Sequence, residues 1–217
     1  MLCHQFDISE EVLIEAIRAG YPRLSFLSVP GPGVGGFCIP KDALVLHDGL
    51  KGMDAASPVL KNFYGYPYQQ YQLNADIIQF HQEKIRELTK SAKCTLALGI
   101  AFKGQPQTDD VRSSVGLGVV QFLMSQGQSV EAYDRTVSPS KTRALGIPVA
   151  AFPLNLSRYD AVLILNNDPE YRHILTSRLS STENTTALYD PWRLLVRKND
   201  SIFQQEFRCG SLKEAHS

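Results

Sequence analysis

TLALGIAFKGQPQTDDVRSS, residues 95–114, is the stretch that decides how this chain folds. Its first eight residues form a compact apolar run, the kind shown by a strand buried on both faces. A polar loop follows. Ser113 or Ser114 then offers a hydroxyl to cap a helix running to Ser125. Gly127 ends that helix, and SVEAYD at 129–134 reads as a second strand. Further strands are predicted at 148–151, 160–165 and 186–190, with a helix over 169–179 between the last two. Strands alternating with helices need parallel crossovers, so the fold class is α/β with a doubly wound parallel sheet. Ligands of such sheets lie beyond the carboxyl ends of the strands. Lys103, just past the first strand, can reach a phosphate there. A solvated charged loop is an equally open reading of 101–114.

Working outward toward the N-terminus, the pattern turns helical. Ser9 is a plausible N-cap, Glu10 and Glu11 suit the helix dipole, and Val12, Leu13, Ala16 and Ile17 make an apolar face that ends at Gly20 and Pro22. A short helix is predicted over 41–47 and another from about 57 to 64, while the Tyr-, Pro- and Gln-rich stretch 63–71 reads as irregular. From Asn74 a long helix is predicted, with Ile77, Ile78, His81, Ile85 and Leu88 at helical spacing. It suits a dimer surface or simple core packing. The division expected is 1–92, a helical segment, and 93–217, the sheet domain.

The bulk composition excludes several classes. Lys plus Arg and Asp plus Glu both number 22, so the net charge is zero and gives no electrostatic reason to expect nucleic acid or an anionic membrane as partner. Hydrophobic residues at 43% support a packed core. No apolar run reaches the roughly 20 residues that span a bilayer, and MLCHQFDISEE lacks the basic and apolar regions of a signal peptide. The cysteines Cys3, Cys38, Cys94 and Cys209 have no CxxC spacing, so neither a metal site nor a disulfide scaffold is expected, and a reducing cytoplasm is the simplest location.

The chemistry is concentrated in GPGVGGFCIPKD, residues 31–42. Gly31, Gly33, Gly35 and Gly36 make a loop that lets a ligand lie against backbone N–H groups. Pro40 suits the start of a short helix, and Cys38 sits just before it, near the positive dipole end. Dipole and Lys41 together favour a thiolate. Asp42, one turn on, can hold a water or position a proton. A lone cysteine is usually core and glycine clusters are usually turns, but the twelve-residue combination is hard to obtain by chance.

That motif resembles the active-site cysteine motif of the UDP-glucose/GDP-mannose dehydrogenase family, nucleotide-sugar 6-dehydrogenases: glycine loop, Cys, x, Pro, Lys, Asp. AFKGQPQTDDVRSS resembles the opening of the family's third domain, a strand, Phe-Lys, a loop and Asp-x-Arg-x-Ser, here with two more residues after the lysine than the commonest form. CHQFDISEEVLIEAI is similar to the central-domain helix before the cysteine loop, and LYDPWRLL to a variant of the strand-end Asp-Gly-Arg-Asn motif. The resemblance covers nearly the whole chain. It implies a Rossmann-like UDP-sugar-binding domain over 93–217 and a helical central, dimerising domain over 1–92. It also implies that the family's N-terminal NAD domain, with its GxGxxG, is not among these residues.

By resemblance, Cys38 is the nucleophile and Asp42 activates water. Phe26, Leu27, Gly31, Gly33, Gly35, Gly36, Phe102, Lys103 and Arg193 hold the sugar nucleotide, and Lys41 and Arg112 reach NAD. The reaction implied is oxidation of the C6 alcohol of a UDP-sugar to a uronate through a thiohemiacetal and a thioester on cysteine, with NAD as hydride acceptor. The expected partners are a UDP-sugar, a second copy of the chain and a separate NAD-binding domain or subunit. A non-catalytic UDP-sugar-binding and dimerisation module is the alternative, and an unrelated α/β protein with a structural cysteine a third.

Overall fold

The computed structural model describes residues 10–21, 23, 31–51, 63–179 and 186–195. Helices α1 (Glu10–Arg18), α2 (Ile39–Leu50) and α3 (Tyr66–Leu88) lead into β1 (Thr95–Leu98). Then come α4 (Val115–Ser125), β2 (Val130–Tyr133), α5 (Pro139–Ala144), a 3₁₀ turn (Leu156–Arg158), β3 (Ala161–Ile164), α6 (Glu170–Leu179) and β4 (Ala187–Tyr189). The four strands form one parallel sheet in the order β2-β1-β3-β4. Thr95 sits in register with Val130 on one side and Ala161 on the other.

Why these strands form is visible in their burial. Every residue of β1 and of β3 is buried, as central strands covered on both faces require. The edge strand β2 alternates buried and half-buried residues. One face of the sheet packs against Ile85 of α3 and Val119, Val120 and Leu123 of α4. The other packs against Tyr171 and Leu175 of α6 with Leu154 and Leu156. Ser114 caps α4, its hydroxyl accepting from the Leu117 N–H at 3.1 Å. Gly99 ends β1 early by turning at φ +92°, and a Cβ there would lie 2.4 Å from the Asn166 side chain. A Cβ on Gly116 would lie 2.4 Å from the Gly99 carbonyl, so the first turn of α4 sits directly on the end of β1. The fold is therefore an α/β doubly wound parallel sheet, as expected.

Several local expectations are corrected. α2 runs over Ile39–Leu50 rather than 41–47. The stretch 66–71 is helical, not irregular, and belongs to α3. Its buried Pro67 lies in the first turn, where the missing N–H is no loss. Its rings find partners in α2 and within the helix: His47 lies 4.5 Å from Tyr64 and 5.2 Å from Tyr68, and Gln72 donates to the Tyr68 hydroxyl. The predicted strand at 148–151 is a single parallel bridge between Ala132 and Val149. Helix α5, capped by Ser138, was not anticipated. The helix predicted over 57–64 falls largely outside the described residues.

Candidate active site

The glycine loop is pinned on three sides. A Cβ on Gly31 would lie 2.1 Å from the Trp192 ring, so the indole, in the turn after β4, rests directly on this glycine. The Val34 N–H donates to Asn74 Oδ1 at 2.7 Å, and Asn74 Nδ2 donates to the Val34 carbonyl at 2.9 Å. Gly33, at φ +126°, packs on Ile78, one turn further along α3. The Gly36 N–H donates to the Ser113 carbonyl at 3.1 Å, and a Cβ on Gly36 would lie 3.0 Å from the Phe102 ring. Gly35 faces the same Ser113 carbonyl. The glycines are needed because three elements approach the backbone more closely than side chains would allow.

The chain leaves this loop at Phe37 and Cys38 and enters α2. The Asp42 N–H donates to the Cys38 carbonyl at 2.9 Å, closing the first turn. Cys38 is exposed, at the N-terminal end of a helix whose free N–H groups point toward it. Two cations flank it. Lys41 Nζ lies 5.4 Å from the Phe37 ring centroid and Arg112 Cζ 4.7 Å from the same ring. Lys41 pairs with Asp42 at 2.7 Å, and that hydrogen bond, with a smaller push from Cys38, raises the lysine above its ordinary value. Arg112 grips Asp110 through both carboxylate oxygens, Nε donating to Oδ1 at 3.0 Å and Nη2 to Oδ2 at 2.7 Å. This pairing pulls Asp110 down to about 2 and raises Arg112. Thus Lys41 and Arg112, separate in sequence, meet over one aromatic ring beside Cys38.

The second feature lies at the carboxyl ends of the strands. The connection from β1 to β2 runs one way and the return to β3 the other, so the topology reverses between β1 and β3. A cavity of about 350 Å³ opens there, lined by residues 104–107 after β1, Arg135 after β2 and residues 168–170 after β3. Its walls are fixed by carboxylates and amides. Asp134 accepts from the Ile100, Ala101, Thr136 and Val137 N–H groups, joining the loops after β1 and β2. Asn167 Oδ1 accepts from the Gly104 and Gln105 N–H groups at 2.8 and 3.1 Å. The buried Asp168 carboxylate pairs with Arg135 at 2.9 Å and accepts from the Glu170 N–H.

Phe102 joins the two features. Its ring meets Gly36, and Lys103 Nζ lies 5.0 Å from its centroid, with Gly104 beginning the cavity wall. Gly31, Gly33, Gly35, Gly36, Phe102 and Lys103 therefore lie along one continuous edge, with Cys38, Lys41, Asp42 and Arg112 beside it. Arg193 lies in the β4 turn at φ +52°, its N–H donating to the Asp190 carbonyl. The residue of that turn resting on the glycine loop is its neighbour Trp192. Phe26 and Leu27 lie outside the described residues. Sequence reasoning missed Asn74, Trp192, Asp134, Asn167 and Asp168 as site-building residues. The signal for the last three was their position just past strand ends. Among the described residues no cluster of His, Cys, Asp and Glu could hold a metal ion, and no helix is long and apolar enough to cross a membrane.

Comparison with known proteins follows this geometry. Residues 96–197 match the UDP binding domain of the UDP-glucose/GDP-mannose dehydrogenase family. A UDP-glucose 6-dehydrogenase of Rhizobium meliloti is 30% identical over 185 residues, 84% of this chain and 40% of that protein. A UDP-N-acetyl-D-mannosamine dehydrogenase of Pyrococcus horikoshii is 25% identical over 80% of this chain and 38% of its own length. This chain therefore spans about 40% of the length of such relatives. Among solved structures, a UDP-glucose dehydrogenase from Pyrobaculum islandicum superposes with a TM-score of 0.62 at 22% identity, over 79% of this chain and 39% of that one. A GDP-mannose dehydrogenase from Pseudomonas aeruginosa gives 0.60 at 20% identity, over 88% and 43%. The last two comparisons speak for the fold. The domain match over residues 96–197 and the 30% identity over 84% of this chain place it in the UDP-glucose/GDP-mannose dehydrogenase family.

Proposed function

We propose that these residues supply the nucleotide-sugar side and the cysteine nucleophile of an NAD-dependent UDP-sugar 6-dehydrogenase, divided into a helical domain over 1–92 and a UDP-sugar-binding domain over 93–217. The observation that carries this reading is the contact of Gly36 with Phe102 and Ser113, which sets the thiol-bearing loop beside the strand-end crevice. A diphosphate would lie along the glycine backbone with Lys103 as counter-charge. Arg193 is the weaker candidate from the β4 turn.

The chemistry then follows from the side chains. Cys38 Sγ adds to the C6 aldehyde, forming a C–S bond and a thiohemiacetal that keeps the aldehyde bound. Loss of hydride from C6, together with the hydroxyl proton to solvent, gives a thioester. Asp42, one turn from Cys38, takes a proton from the water that attacks this ester, breaking the C–S bond and releasing carboxylate and thiol. NAD, when bound, accepts the hydride in each of the two oxidations. The exposed cations Lys41 and Arg112, both beside Phe37, fit a dinucleotide phosphate and would hold it. Turnover requires an NAD-binding unit, in the same polypeptide or as a separate subunit. Exposed Tyr66 and Leu73 of α3 and Ile39, Val45 and Leu46 of α2 support a homodimer.

The deciding experiment is thermal shift of the chain with UDP-glucose, UDP-N-acetylhexosamines and NAD, together with mass-spectrometric mapping of alkylated cysteines. UDP-sugars are expected to stabilise the chain and NAD alone to do little. Cys38, exposed, should label ahead of the half-buried Cys94. Stabilisation by NAD without any by UDP-sugars, or a protected Cys38, would overturn the reading. UDP-sugar binding without turnover when an NAD-binding unit is supplied would leave the binding-module alternative.

A further inference from the structure

We propose that Asn74 is a positioning residue, whose carboxamide sets where the Cys38 loop stands. The inference begins with the loop's own weakness. A run with glycine at 31, 33, 35 and 36 has more backbone freedom than one that carries side chains at those positions. Val34 is half-way between its first and last glycine. There the Asn74 side chain offers an acceptor and a donor in the spacing of a peptide group, and both are used on one residue, at 2.7 and 2.9 Å. The carboxamide behaves as a neighbouring strand one residue long. Only one orientation of the amide makes both bonds, so the pair fixes loop height and direction together.

The rest of the path is rigid. Ile78, four residues after Asn74 and on the same helix face, packs on Gly33. Further along α3, the Tyr189 hydroxyl at the end of β4 is hydrogen-bonded to His81, and Ile85 is fully buried against the sheet. A continuous line of contacts therefore runs from the sheet through α3 to Asn74 and Val34, and Cys38 follows Val34 by four residues. The Gly36 N–H donates to the Ser113 carbonyl, so the far end of the loop is set by the entry to α4 and its middle by Asn74. Both Asn74 bonds are at an exposed site, where water competes. Their contribution to stability is accordingly small and their contribution to geometry large.

The test uses the full chain carrying Asn74→Leu, which keeps the branching at Cγ and favours helix while deleting both bonds, and Asn74→Asp, which keeps only the acceptor. Gln72→Ala, on the same helix and bonded to Tyr68 instead, is the control. Trp192 is the only tryptophan in the chain and touches Gly31, so its emission reports loop docking without any ligand. Asn74→Leu is expected to shift that emission to the red and to weaken UDP-glucose binding about 10-fold, Asn74→Asp about 3-fold. The melting temperature should move by no more than about 2 °C and the control should behave as wild type. The binding arm rests on the proposed function. If wild type fails to bind UDP-glucose, that function fails, while Trp192 emission and Cys38 labelling rate in the free variants still decide the role of Asn74. Unchanged emission and labelling in both variants, or affinity within 2-fold of wild type, would overturn it. Should Asn74→Leu fail to fold by circular dichroism, Asn74→Asp alone decides by the same readouts.

Discussion

Strands β1 and β3 bury every one of their residues, whereas the described segment 31–51 that carries Cys38 buries only Pro32 and Gly36. Helix α2 buries none at all. The sheet is assembled by apolar area removed from water, a force that needs no particular partner. The cysteine loop is held by a few directional contacts with named partners: Asn74, Ser113, Phe102, Ile78 and Trp192. Damage to the sheet should therefore appear as lost stability. Damage to the loop should appear as lost placement in a protein that still melts normally.

The largest effect should come from the sheet. Leu98 is fully buried at the end of β1 and packs in the cluster beneath α6. Leu98→Ala removes its apolar area and leaves a cavity, a loss of about 3 kcal/mol. In a chain of this size that lowers the melting temperature by roughly 10 °C. Differential scanning calorimetry checks it. A shift of only a degree or two would break the contrast, because the sheet would then not be the part that carries stability.

How much of this was legible follows the same contrast. β1 and β3 were readable because burial on both faces leaves an unbroken apolar run. The glycine loop was readable because close approach of Trp192, Ile78 and Phe102 demands missing side chains, and missing side chains leave a mark. Asn74 was not readable. A carboxamide that bonds a backbone forty positions away creates no period and needs no special neighbour. The start of α3 was missed because Tyr66, Tyr68 and Tyr71 follow no apolar repeat, and their packing partner His47 lies on another helix. In the β4 turn, resemblance drew attention to Arg193, while Trp192 makes the contact with the loop.

A second prediction probes the joint between the two regions. His81 of α3 is hydrogen-bonded to the Tyr189 hydroxyl at the end of β4. Burial lowers it from 6.5 to about 4. The unfolded chain therefore takes up a proton near pH 6.5 that the folded chain refuses until near pH 4. The stability contributed by the neutral imidazole is whole above pH 6.5 and declines as pH falls through that window. Asp110, held at about 2 by Arg112, stays charged throughout it. His81→Gln should flatten the fall in melting temperature between pH 7 and pH 4.5. An identical slope in wild type and variant would show that α3 is not coupled to the sheet through this group.

The smallest effect on stability, and the sharpest test of the contrast, should come from Gly31→Ala. Gly31 is half-buried and its φ is not positive, so alanine meets no backbone strain. The new Cβ would instead fall 2.1 Å from the Trp192 ring, and either the indole or the loop must yield. The indole has the easier path, since Trp192 is only half-buried and its Nε1 has no hydrogen-bond partner among the described residues. Its emission should shift to the red while the melting temperature changes by no more than about 2 °C. With the loop released at its first glycine, UDP-glucose affinity should fall about 10-fold, or 1.4 kcal/mol. If stability fell as far as in Leu98→Ala, the indole contact would belong to the core, and the loop would be held by the same force as the sheet. If emission moved and affinity did not, the edge formed by Gly31 would lie outside the ligand's path, and the diphosphate would have to be sought nearer Gly35, Gly36 and Lys103.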